Sequence, residues 1–340
     1  MTLSVARSDG SSRANPIYPI TRRNALAIGG ALVAAPWVRA QSFPDRQITI
    51  VVPAPPGGTA DISARALVEP LGKALGQPVV IDNKGGGNGA LGAQAVLNAK
   101  PDGHTLLMAY SGFHCMSPHL VKLPYDPLKD LQAICNVYSA PQVMVVRSSL
   151  EQIKTAQDLI AYAKANPGKL NYGSSGNGSV QHIATELFKQ LSGTFMTHIP
   201  YRGTGPTITD LLAGSIDLTV TTAPPLIPHI TSGKFRPLLV AGPRRLSSLP
   251  NVPTGAEIGL KGYDVDAWFG LYTHSQSPKA AVDRIATEVQ KIMAVQAFKD
   301  RAASLGAEAN YLDPQKMTAY AQAEYTKWGG VIKTAGIKAD

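Results

Sequence analysis

The run Ile50-Val51-Val52 enters Pro53-Ala54-Pro55-Pro56-Gly57-Gly58 and leaves as a helical pattern over 59–75. About 120 residues later the same order returns: Leu170-Asn171-Tyr172, a small-residue loop over 173–179, and a helical pattern from Val180 to Leu191. A strand that breaks at glycine and restarts as a helix commits the chain to layered α/β packing, since both elements must share one core across a tight turn. The first N–H groups of each helix have no intrahelical acceptor, and together with the helix dipole they favour an anion. One such loop is readily explained as a turn that lets a helix pack on a strand. Two matched loops suggest one per lobe, facing each other across a cleft.

The rest of the chain keeps this rhythm. Strand-like β-branched runs fall at 47–52, 79–82, 105–108, 142–147, 170–172, 197–200, 217–221 and 237–241. Between them lie amphipathic segments. Ala60, Ala64, Leu67, Leu71 and Ala74 mark one stripe, with Pro70 a candidate kink. Val180, Ile183, Leu187 and Leu191 mark another. Strands this apolar, alternating with helices, predict parallel sheets covered on their faces. The end of the chain reads as two long helices, over 279–305 and 314–334, with Gly306 and Gly336 as stops.

The first forty residues read as an export leader. Arg22-Arg23 precedes a 14-residue apolar run from Ala25 to Val38, and Val38-Arg39-Ala40 supplies a small-residue cleavage site. The run is too short to span a bilayer. Paired arginines point to twin-arginine export, although Ala25 stands where that signal prefers a large apolar residue, and Sec export stays open. Cleavage after Ala40 leaves 300 residues, a two-domain length, and places the protein in the periplasm. Of 32 Lys/Arg and 23 Asp/Glu the leader holds five and one, so the mature chain carries 27 against 22, a net +5. This mild, dispersed surplus suits small anions and argues against nucleic acid. Cys115 and Cys135 are the only cysteines; whether they pair is left open, and Cys135 in its apolar run reads as a reduced core residue.

Catalytic and nucleotide readings fail on spacing. Neither glycine loop is followed by the lysine of a phosphate loop, and Gly176-Asn177-Gly178 lacks the third glycine of a dinucleotide fingerprint. Around Ser175, Asn177 stands where a nucleophile elbow needs glycine. No histidine spacing fits a metal, and His114 and His119 are five apart. Binding remains: a carboxylate held by N–H groups and hydroxyls needs no metal, cofactor or nucleophile. A helix terminus contributes about 0.3–1 kcal/mol to an exposed anion and about 2 kcal/mol when partly buried.

Ordered blocks from Phe43 nearly to the C-terminus then carry a resemblance. They include Phe43-Pro44-Asp45-Arg46, Val52-Pro53-Ala54-Pro55-Pro56-Gly57-Gly58 with Asp61, and Leu75-Gly76-Gln77-Pro78-Val79-Val80. Pro101-Asp102-Gly103-His104-Thr105, Tyr125-Asp126-Pro127-Leu128, Pro200-Tyr201-Arg202-Gly203, Leu249-Pro250-Asn251-Val252-Pro253-Thr254 and Trp268 follow. The chain resembles the extracytoplasmic solute receptors of tripartite tricarboxylate transporters, the Bug or TctC type. The resemblance implies a two-lobed α/β type II periplasmic binding protein, a Venus flytrap whose lobes are each a sheet flanked by helices. The lobes would be 41–145 plus 265–340, and 146–264. It implies a monomer, not an enzyme, that carries a di- or tricarboxylate or an aromatic acid to membrane transporter subunits.

Carried over residue by residue, the resemblance nominates Pro56, Gly57, Gly58, Thr59 and Asp61 from one lobe. From the other it nominates Ser174, Ser175, Gly176, Asn177, Gly178, Ser179 and His182, with Tyr201, Arg202, Gly203, Thr204 and Thr221 lining the cleft. Asp61, near a helix start, favours the dipole and orients its loop. Arg202 stands where many relatives carry Lys, and either reaches ligand or pairs within its lobe. Thr221 and Thr222 are neutral where relatives usually carry an acid, and Tyr110-Ser111-Gly112-Phe113-His114 and Tyr272-Thr273-His274-Ser275 also depart from the family. These departures suggest a cleft turned away from amino acids, with aromatics available to stack. The competing readings are a receptor feeding a sensor, and an exported hydrolase using Ser175 and His182.

Overall fold

The computed structural model describes Thr2, residues 43–334 and residues 336–338; the export leader and its cleavage site lie outside the described residues. In chain order the elements are β1 (Ile48–Val52), α1 (Thr59–Leu75), β2 (Val79–Asn83), α2 (Ala90–Leu97), β3 (Thr105–Tyr110), β4 (Leu131–Arg147), α3 (Ala156–Ala165), β5 (Asn171–Ser174), α4 (Val180–Ser192), β6 (Thr197–Pro200), α5 (Thr204–Ala213), β7 (Leu218–Thr222), α6 (Ile227–Thr231), β8 (Phe235–Ala241), β9 (Asp266–His274), α7 (Lys279–Ala294), α8 (Gln296–Ser304), β10 (Glu308–Leu312) and α9 (Pro314–Thr334). A π-helical turn, Gly112–Met116, follows β3.

Two sheets share one strand. In the first, β2, β1 and β3 are parallel, β9 is antiparallel to β3, and β4 is antiparallel to both β9 and β10. In the second, β5 lies parallel between β6 and β7, and β4 pairs antiparallel with β7 and β8. Residues 131–141 of β4 serve the first sheet and 142–147 the second. The change falls between Pro141, opposite Asp266, and Gln142, opposite Thr222 and Ala241. Proline brings no N–H to the ladder, so a junction is where it costs least.

Strand alternation assigns the cores. Ile48, Ile50 and Val52 pack with Ala64, Leu67 and Leu71 of α1 and with Val282, Ile285 and Val289 of α7. Val51 and Leu107 face the other way, into the core that holds Ala93, Val96 and Trp328. Along β4, Val143 and Val145 join Ile208, Leu211 and Leu226, while Met144 and Val146 join Ile183 and Phe188.

All eight strand-like runs are strands, but the sheets are mixed rather than wholly parallel. β9 and β10 lie outside the eight strand-like runs; β9 is buried on both faces and shows no alternation to read. The pattern over 279–305 divides at Val295, whose extended backbone (φ −67°, ψ 129°) ends α7 and starts α8. On α4 the buried face is Val180, Ile183, Ala184 and Phe188, and Leu191 is exposed. Pro70 lies inside α1, which is continuous across it. Cys115 and Cys135 are buried free thiols, both pushed up by burial.

Candidate ligand-binding site

Four helices begin at one cleft. α1 starts after Gly58, α2 after Gly89, α5 after Gly203 and α4 after Ser179. At α4 the Ser179 hydroxyl accepts the His182 N–H at 3.3 Å. At the other three the capping residue is glycine, and no side chain caps the N–H groups that follow. Gly58, Gly89 and Gly203 all line the same cleft, which encloses about 830 Å³ with its mouth included.

The first loop is held from behind. Gly57, in the left-handed region at φ +87°, donates its N–H to Asp61 Oδ2 at 3.0 Å. Arg65 Nε donates to the same oxygen at 2.8 Å, and Asn83 Nδ2 donates to Asp61 Oδ1 and to the Ala54 carbonyl, each at 3.1 Å. Burial pushes the Asp61 carboxyl up, but the Arg65, Gly57 and Asn83 hydrogen bonds outweigh it and leave it below its ordinary value. Asp61 is thus an ionised brace for the loop.

The second loop has its own frame. Ser174, fully buried, lies with Oγ 2.6 Å from His198 Nε2 and accepts the Gly176 N–H at 3.1 Å. The His198 ring stacks on His182 at 4.2 Å, and His182 Nδ1 accepts the Gly178 N–H at 3.1 Å. Ser175 donates to Gln181 Oε1 at 2.7 Å, and Gln181 Nε2 donates to Thr204 and Thr221 hydroxyls, each at 3.1 Å. Ser175 therefore engages an amide rather than the His182 imidazole, which is turned to its own loop. In the serine–histidine pair that does form, Ser174–His198, the serine is fully buried and the histidine half-buried. This geometry gives the hydrolase reading no accessible activated nucleophile.

The two sides of the cleft touch. The hydroxyls of Thr59 and Thr222 hydrogen-bond to each other, and Ser117 donates to the Gly178 carbonyl at 3.1 Å. Gly203, at φ +121°, packs so close to Pro55 that an added Cβ would lie 2.5 Å from its Cδ.

Of the nominated residues, Gly58, Thr59, Ser175, Tyr201, Arg202, Gly203 and Thr204 line the cleft. Pro56, Gly57, Asp61, Ser174, Gly176, Asn177, Gly178, Ser179, His182 and Thr221 stand outside that lining. Arg202 is exposed at the cleft and makes no ion pair among the described residues. Gly86, Gly87, Gly89, Gln142, Gln181, Thr222 and Phe269 also line it and were not nominated. The glycine run after β2 was the available signal for the first three. Of the aromatics read as available for stacking, Tyr110 reaches the cleft. Phe113 lies behind Gly89, and His114 is packed against Tyr272 at 4.6 Å, where burial pushes its pKa down to about 3. Among the described residues no three His, Cys, Asp or Glu side chains group as metal ligands, and no helix is long and apolar enough to cross a membrane.

The family model for the tripartite tricarboxylate transporter family receptor matches residues 63–337. Protein BugT of Bordetella pertussis is 33% identical over 319 residues, 92% of this chain and 96% of BugT. An R. palustris protein solved with adipate superposes with a TM-score of 0.84 at 35% identity, covering 87% of this chain and 99% of that one. MatC from Rhodopseudomonas palustris, solved with bound malate, gives 0.81 at 31% identity, covering 85% and 100%. Family and fold are those of extracytoplasmic substrate-binding proteins rather than enzymes. The chain belongs to the receptors of the tripartite tricarboxylate transporter family.

Proposed function

We propose that this receptor captures a small organic acid, a di- or tricarboxylate or an aromatic carboxylate, and delivers it to the membrane subunits of a tripartite tricarboxylate transporter. The observation that carries this reading is the convergence on one cleft of two glycine-started helices, α1 and α5, whose first N–H groups no side chain caps. Their N–H groups suit a carboxylate, and the absence of Asp or Glu among the described lining residues leaves no counter-charge for an ammonium. The adipate and malate held by two structural relatives support the same ligand class.

The protein works as a monomer in the periplasm after cleavage near Ala40, with lobes formed by 41–145 plus 265–340 and by 146–264. Pro56, Gly57, Gly58, Thr59 and Asp61 would serve the ligand from one lobe. Ser174–Ser179 with His182, and Tyr201–Thr204 with Thr221, would serve it from the other, Asp61 and His182 by holding loops. A ligand touching both lobes at once favours the closed form by that differential contact. A thermal-shift panel of di- and tricarboxylates, aromatic acids and amino acids tests the reading. Stabilisation by one or more acids is expected; stabilisation by an amino acid alone would overturn it.

A further inference from the structure

We infer that Gln142 is a specificity-determining residue that selects organic acids bearing a hydroxyl group, which donates to its side-chain carbonyl. The inference rests on the reading of the cleft as a carboxylate site and goes on to name a second group on the ligand.

Gln142 is the first residue of β4 past the crossing from one sheet to the other. Its side chain is 1% exposed and yet lines the cleft. Its Oε1 is buried and has no hydrogen-bond partner among the described residues. The neighbours do not answer it. Thr222, its partner in register, is engaged with Thr59; Ala267 and Phe269 are apolar; and its own N–H is committed to the Val265 carbonyl at 3.2 Å. A buried amide carbonyl without a donor is disfavoured, and native structures usually supply one.

The chemistry narrows what that donor is. A carboxylate has acceptors only and cannot serve Oε1. An ammonium could donate, but among the described residues no Asp or Glu lines the cleft to balance its charge. A hydroxyl donates and needs no counter-ion. Sites built to hydrogen-bond a ligand hydroxyl discriminate strongly against the analogue that lacks it, because the protein group is then left unpaired.

The test is calorimetric titration of the full chain with paired acids: 2-hydroxyglutarate and glutarate, tartrate and succinate, 4-hydroxybenzoate and benzoate. In at least one pair the hydroxylated acid should bind about tenfold or more tighter. Gln142→Met, which keeps length but removes the carbonyl, should bring that ratio to within about threefold of unity. Gln142→Glu, which keeps an acceptor, should weaken both acids but preserve the preference, and it decides the matter if the methionine variant does not fold. Binding of acids without preference for any hydroxylated member, or preference that survives in Gln142→Met or vanishes in Gln142→Glu, would overturn the assignment. Failure of every acid to bind would instead defeat the carboxylate reading and this inference with it.

Discussion

Thr59 and Thr222 hydrogen-bond hydroxyl to hydroxyl across the cleft, one in the first turn of α1 and the other at the end of β7. Each side of the cleft contributes one partner, so the bond exists only while the sides are together. A neutral hydrogen bond contributes about 0.5–1.5 kcal/mol net, and removing it should weaken ligand binding about two- to tenfold by lowering the closed population. Both hydroxyls serve one bond, so Thr59→Val and Thr222→Val should not be additive. The double variant should bind about as weakly as the weaker single one. Calorimetric affinities of the four proteins give the coupling, and additive losses would mean that the hydroxyls act separately.

Gly203 gives a steric counterpart. Its φ of +121° is strained for any residue with a Cβ, and that Cβ would sit 2.5 Å from Pro55 Cδ on the facing loop. Gly203→Ala should keep the lobes apart more than it unfolds them. The expected signature is a ligand-induced melting shift that is lost or reduced by more than about half, with the unliganded melting temperature lowered by only a few degrees. An unchanged ligand-induced shift would show that the loops need not approach this closely.

What could be read ahead of the fold divides by range. The loops after β1 and β5 are local: strand, turn and helix start sit within a dozen residues, and the glycines mark the turn. Gly86, Gly87 and Gly89 are equally local, but α2 has only eight residues and exposes Leu91, so no amphipathic stripe announced a helix start behind them. Gln142 and Phe269 enter the cleft through strand pairings with residues far away in the chain, Thr222 and Ala241 for Gln142 and Tyr110 and Tyr138 for Phe269, and nothing within their own windows points there. Leu191 fits the helical period of α4 but falls on the exposed side, because Phe188 takes the space facing the core.

Asp61 should behave as a brace rather than a ligand. Its Oδ2 takes both Gly57 N–H and Arg65 Nε, and an amide substituted there would turn a donor toward one of them. Asp61→Asn should cost about 1–3 kcal/mol of stability and weaken ligand binding through the displaced loop. The sign with pH follows from the depressed pKa: the contribution is complete above the ordinary value of 3.8 and lost as pH falls through the lower, folded value. Urea denaturation at pH 7 and at pH 3 checks this. The gap between wild type and Asp61→Asn should narrow in acid, and a constant gap would remove the charge from the explanation.

Asp266 carries the opposite sign. It opens β9 opposite Pro141, and its Oδ1 accepts the Ala267 N–H at 2.9 Å. Burial is the main influence and raises its pKa; the Ala267 N–H lowers it, and Asp264, Glu324 and Glu308 raise it further, to about 7. Between 3.8 and about 7 the unfolded chain is ionised here while the folded chain holds the proton, so this group's contribution to stability falls as pH rises through that window and stays low above it. Asparagine is neutral throughout and keeps an oxygen for Ala267. Asp266→Asn should therefore match the wild type near pH 4 and exceed it at pH 8 by on the order of 1–3 kcal/mol. Melting temperatures of both proteins from pH 4 to 8 test it. The curves should separate as pH rises, and parallel curves would mean that the Asp266 carboxyl ionises alike in the folded and unfolded chains.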